Sequence, residues 1–149
     1  MGCERSHPIF FVLYPLVSLH PIHELLMPHP YHLIVEGNPA LIYATRGGSP
    51  QKILPILTPF LEKFWRERET FGEYADTPEC LVAQLTVRFG FETAEDDFSN
   101  IRVGVRFHPE AQYLYWIGLN KDVQVWVPEE SYRENPELGL KGCRQWSSS

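Results

Sequence analysis

The stretch Leu81-Val82-Ala83-Gln84-Leu85-Thr86-Val87-Arg88-Phe89-Gly90-Phe91 decides how the rest of the chain is read. Leu81, Ala83, Leu85, Val87, Phe89 and Phe91 fall at every second position, between Val82, Gln84, Thr86, Arg88 and Gly90. Period two is the mark of a strand with one buried face. The preceding Asp76-Thr77-Pro78-Glu79 has the form of a helix start, with a capping side chain and a proline near the first turn. The alternation outweighs it, conceding one helical turn near 77–82. A second alternation follows the acidic loop 93–100, with Ile101, Val103, Val105 and Phe107 set against Arg102, Gly104 and Arg106. His108-Pro109-Glu110 and Asn120-Lys121-Asp122 then turn the chain into Tyr113–Gly118 and Val123–Val127. Four consecutive strands with short connections form an antiparallel meander.

Upstream of it, Tyr31–Val35 and Ala40–Thr45 flank Glu36-Gly37-Asn38-Pro39, a hairpin signal. Ser49 and Pro50 then have the form of an N-cap and first helical residue. Ile53, Leu57, Phe60, Leu61 and Phe64 recur at helical spacing behind them. Pro55 and Pro59 interrupt that pattern. An interior proline removes a backbone donor, so a kinked or two-piece helix over about 50–70 is expected. The fold class is therefore α+β, with an antiparallel sheet built from hairpin, kinked helix and four-strand meander, and the helix on one face.

The chain has 149 residues, 44% of them hydrophobic, which suffices for one domain with its own core. Its formal charge of −6 excludes a wholly basic nucleic-acid or membrane footprint. Cys3, Cys80 and Cys143 are an odd, scattered set without a CxxC pair, which favours a reducing, cytoplasmic setting over a disulfide framework. Five of the six histidines and five prolines fall within residues 1–32. That bias divides the chain into a flexible leader, or an extension upstream of a working start at Met27, over 1–26, a single domain over 27–146, and a loose tail at 147–149. The leader's apolar run, residues 9–19, is eleven residues long and interrupted by Pro15. A transmembrane helix needs about 20, so no membrane-crossing segment is expected. Met1-Gly2-Cys3-Glu4-Arg5-Ser6 matches an acylation pattern, but one short enough to arise by chance.

Chemistry-bearing candidates are few. His20-x-x-His23 and His29-x-x-His32 have the spacing of metal pairs, but the neighbouring prolines oppose the helical turn that would aim both rings one way. Glu92, Glu95, Asp96 and Asp97 lack the ligand spacing of a calcium loop. Arg46-Gly47-Gly48-Ser49 before a helix suits a phosphate only weakly, without a Walker lysine. Cys80, at a possible helix start, has only His108 as a distant base. No catalytic residue, metal or cofactor is therefore expected. A binding face is. Arg88, Arg102, Arg106, Gln124 and Trp126 fall opposite the core-facing valines of the expected strands, and Trp146, near the end of the chain, either covers a core edge or is offered to a partner. The expected partner is a protein, with a homo-oligomer among the options. The alternative is single-stranded nucleic acid stacked on the arginine and aromatic face.

Phe71-Gly72-Glu73-Tyr74-Ala75-Asp76-Thr77-Pro78-Glu79-Cys80 and Trp126-Val127-Pro128-Glu129-Glu130-Ser131-Tyr132-Arg133 resemble segments of a group of small cyanobacterial proteins of unassigned role. The resemblance spans residues 27–146 and implies a natural start near Met27. Such proteins sometimes carry a histidine-kinase label. This sequence has neither a Gly-rich ATP lid nor a helical hairpin around a phosphorylatable histidine. The resemblance transfers no functional residue.

Overall fold

A computed structural model describes residues 28–72, 76–92 and 101–149. Along the chain run β1 (Tyr31–Val35), β2 (Leu41–Ala44), α1 (Pro50–Phe71), α2 (Thr77–Val87) and a π-helical turn, Arg88–Glu92. β3 (Arg102–Gly104), β4 (Tyr113–Ile117), β5 (Val123–Pro128), α3 (Glu130–Glu134), a 3-10 turn (Pro136–Gly142) and β6 (Cys143–Gln145) follow. The strands make one six-stranded sheet in the order β3-β2-β1-β4-β5-β6. The architecture is thus α+β with a mostly antiparallel sheet. Only β1 and β4 run parallel, with Leu33 opposite Tyr115.

The main correction concerns residues 77–87, which are helix rather than strand. Thr77, Leu81, Leu85 and Phe89 are buried, whereas Val87 is 56% exposed. A row of alternate apolar residues contains an i, i+4 row as every second member. Leu81, Leu85 and Phe89 therefore satisfy both periods, and the start signal at Asp76-Thr77-Pro78 separates them. Without a strand there, the four-strand meander does not form. β3 pairs instead with β2, Val103 opposite Ile42. The consecutive antiparallel strands are β4, β5 and β6, the last drawn from a segment with no strand signal.

α1 runs unbroken from Pro50 to Phe71, so the expected kink or division is also corrected. Pro55 and Pro59 lie one turn apart on its exposed side. The carbonyls of Gln51 and Pro55, deprived of their i+4 donors, thus fall where water reaches them. Ser49 precedes the helix in extended conformation, and Gly72 ends it in the left-handed region, donating to the Arg68 carbonyl at 2.9 Å.

The sheet faces two cores. Leu33, Ile42, Tyr115 and Val125 meet Ile53, Leu57, Leu61 and Phe64 of α1 and Leu81 and Leu85 of α2. On the opposite face Ile34, Leu41, Tyr43 and Leu114 meet Ala111 and Tyr132, with Phe107 and Leu140 at the margin. Gly48 joins β1 to the start of α1 by donating to the His29 carbonyl at 2.9 Å and accepting from the Tyr115 hydroxyl. A Cβ at Gly48 would drive into the His29 carbonyl and the Tyr31 ring. Among the described residues no helix is long and apolar enough to cross a membrane.

Candidate functional site

Strand register distributes the sequence-predicted binding residues over both sides of the sheet. Tyr43 opposes Arg102, His32 opposes both Tyr43 and Leu114, and Leu114 opposes Trp126. Opposed residues share a face, so Arg102 and Trp126 lie on the face away from the helices. They stand four strands apart, about 19 Å by strand spacing. Buried His32 and Leu114 lie between them. Gln124, opposite Trp116, belongs to the same face and accepts the Trp126 indole N–H at 3.2 Å. Arg106 is exposed beyond β3. Arg88 caps α2, and Trp146 packs at the margin of the helix-side core, its N–H donating to the Val125 carbonyl at 2.8 Å. Much of the face between Arg102 and Trp126 is covered by the 105–111 segment and α3. Tyr132 of α3 is fully buried there.

That covering is held by one imidazole. His32, considered in the sequence as half of a His29-x-x-His32 metal pair, is buried with both ring nitrogens engaged. Nδ1 donates to the Ile42 carbonyl at 3.2 Å, and Nε2 accepts the His108 backbone N–H at 2.9 Å. This pair of bonds fits the neutral ring protonated on Nδ1. Burial is the main reason the His32 pKa falls to about 4; the Ile42 bond opposes that shift and nearby His108 adds to it. The Tyr132 hydroxyl donates to the His108 carbonyl at 2.6 Å, and the His108 ring stacks on Tyr43 at 4.2 Å. The His108 peptide is therefore gripped at both ends, N–H by β1 and C=O by α3. Burial raises the Tyr132 pKa, so its hydroxyl stays a donor.

The helix side presents a different kind of surface. Arg68 of α1 lies with its guanidinium over the Phe64 ring and pairs at 3.2 Å with Asp76, the residue before α2. Between α1 and α2 runs a groove of about 690 Å³. Its apolar walls are Ile56, Pro59, Phe60 and Val87, Phe64 is buried at its base, and Lys63, Glu67 and Arg88 are the charges along it. Sequence reasoning did not foresee it: Ile56 and Phe60 belong to the amphipathic pattern of α1, and they pack at the margin of the core while also lining this groove. The available signal was the width of the apolar arc on α1, where Ile53, Leu54, Ile56, Leu57, Phe60, Leu61, Phe64 and Trp65 exceed one stripe.

The remaining candidates separate. Cys80, beside Asp76, lies on the helix side, whereas His108 lies against the opposite face. The sheet stands between thiol and imidazole. His29 engages Gln112 at 2.8 Å and His32 has no free nitrogen, so this pair is not poised as metal ligands. The Gly48 N–H is already spent on His29, which weakens the phosphate reading of the loop before α1. Among the described residues no group of three His, Cys, Asp or Glu gathers to hold a metal. Asp96, Asp97, His20 and His23 lie outside the described residues. Comparison with family models, curated proteins and solved structures gives no match.

Proposed function

We propose that this chain is a non-catalytic module that binds a protein partner in the groove between α1 and α2. The observation carrying this reading is the combination of an apolar wall, Ile56, Phe60 and Val87, with the exposed prolines of α1. The Gln51 and Pro55 carbonyls, without i+4 donors, offer a partner chain acceptors beside that wall. Apolar side chains set among scattered charges suit a hydrophobic anchor with polar orientation at the rim. The proposed surface therefore moves from the sheet face, which α3 and the 105–111 segment occupy, to the helix layer. The resemblance to small cyanobacterial proteins is compatible with this and contributes no residue to it.

The test is capture from the native host with the full chain and its Val87→Arg variant. Val87 is exposed, so the substitution spares the fold while placing a charge in the apolar wall. A specific partner should be lost by tenfold or more. Equal recovery by both chains would remove the groove from the function.

A further inference from the structure

On the reading that the groove is the docking surface, we propose that its occupant is a second copy of this chain, the two α1 helices packing antiparallel across a two-fold axis. The first observation is an aromatic side chain that the fold leaves outside. Phe71, the last residue of α1, is 75% exposed. It follows Phe60 by eleven residues, about three helical turns, so the two rings lie on the same side of α1. Phe60 lines the groove, and Phe71 continues that line to the end of the helix. One exposed apolar residue is ordinary, but one aligned with an apolar groove lengthens it into a larger patch.

The second observation is charge. Between the two rings the groove side of α1 carries one cation and one anion, Lys63 and Glu67. In an isologous contact residue i of one copy meets residue j of the other, and j meets i. With the axis midway between Lys63 and Glu67, Lys63 of each copy falls level with the partner's Glu67. Both ion pairs then form at once. A parallel pairing would set lysine against lysine and glutamate against glutamate. Within one chain the same two side chains are exposed and 4.0 Å apart. An ion pair so placed contributes little, so exchanging it for pairs between copies sacrifices little.

The third observation is spacing. The same axis puts Phe71, about 9 Å from it along the helix, level with the partner's Pro59 and one residue from the level of the partner's Phe60. Phe71 of each copy thereby enters the other copy's groove beside Phe60, across from the exposed Val87 of α2. Each groove is completed by a residue of the second copy. Aromatic anchors seated in apolar pockets carry most of an interface's affinity, and the charges fix register and orientation. A contact built on one helix pair is small, so the dimer should dissociate on dilution through the micromolar range.

The experiment is sedimentation velocity on the full chain across the micromolar range. The parent should pass from monomer to dimer as its concentration rises. Lys63→Glu and Glu67→Lys, each alone, set like charges across the axis and should weaken the dimer tenfold or more. An equimolar mixture of these two variants should associate as the parent does, because two carboxylates of one chain then face two ammonium groups of the other. The double variant Lys63→Glu, Glu67→Lys should associate by itself for the same reason. Arg88, the remaining charge of the groove, stands on the α2 side and is common to every variant. Phe71→Ser, at an exposed helix end, should also weaken the dimer tenfold or more while leaving the far-ultraviolet circular dichroism unchanged. A parent that stays monomeric throughout would overturn the proposal, as would single charge variants that dimerise like the parent or a mixture that fails to associate. A monomeric parent that still captures a different protein would leave the docking reading standing with another occupant. That reading falls only if Val87→Arg leaves partner capture unchanged.

Discussion

The two faces of the sheet are covered by different physical means. On one, α1 supplies Ile53, Leu57, Leu61 and Phe64 and α2 supplies Leu81 and Leu85 to a large aliphatic and aromatic core. On the other, a loop, a five-residue helix and a 3-10 turn lie over a smaller core. Long helices bury enough apolar area to stay in place without directional bonds to the strands beneath. Short irregular segments do not, and they must be gripped. His32 and Tyr132 grip the His108 peptide, and Gly142 accepts the Glu129 N–H at 3.0 Å, where a Cβ would press on the Tyr132 backbone. The side held by bulk can tolerate a groove between its helices. The side held by hydrogen bonds has its exposed peptide groups already committed, which makes it a poorer docking surface.

If this division is right, the largest single loss comes from the bulk side. Leu57 is fully buried against the sheet, and Leu57→Ala should lower unfolding free energy by about 3 kcal/mol in urea titrations. A loss below about 1 kcal/mol would mean that α1 is not anchored by packing.

The gripped side should show itself next, through pH. His32 is neutral in the fold, with a pKa near 4 against an ordinary 6.5, so in that window the unfolded chain binds the extra proton. Stability is therefore full above pH 6.5 and falls as pH drops toward 4, by about 3 kcal/mol in all. His32→Asn should be less stable at pH 7 and should lose that part of the slope. Parallel pH profiles for the two chains would break the assignment of a neutral His32.

Tyr132→Phe tests the other end of the same peptide. Removing the hydroxyl that serves the His108 carbonyl should cost about 1 kcal/mol. It should also speed amide exchange at His108 and Ala111 more than at Leu85. Uniform acceleration at all three would mean that the 105–111 segment opens only by global unfolding.

How much of this was legible beforehand follows the same divide. β1, β2, β4 and β5 were legible because each is a short β-rich run bounded by turn residues such as Gly37-Asn38 and Asn120-Lys121-Asp122. α2 was misread because Leu81, Leu85 and Phe89 serve periods of two and of about four alike; the start signal at Asp76-Thr77-Pro78 favoured the helix, and the exposure of Ala83 and Val87 bears it out. The parallel pairing of β1 with β4 joins residues some eighty apart, for which no local pattern exists. β6 is three residues long and forms because β5 offers an edge. The role of His32 was not legible because the peptide it holds, that of His108, lies 76 residues along the chain, where no local pattern links them. The groove was hidden because a wide apolar arc on one helix reads as core until the second helix is placed beside it.

The smallest expected effect lies where the end of α1 meets the β4–β5 turn. Lys121, in the β4–β5 turn, pairs with Glu69 near the end of α1, both side chains about half exposed. Ion pairs so placed contribute little, so Lys121→Ala should change stability by less than about 0.5 kcal/mol. Yet Lys121 also holds a φ of 74°, in the left-handed region that lysine adopts only at a cost of about 1 kcal/mol. Lys121→Gly removes the same ion pair and that cost together. It should therefore leave the protein more stable than Lys121→Ala, and equal to or above the parent in the urea midpoint. If glycine proves worse than alanine, the turn is not where strain is stored. The pairing to Glu69 would also carry nothing beyond screening if both variants match the parent, and α1 would then be held near that end by the packing of Trp65 and Leu61 and by the Arg68–Asp76 pair.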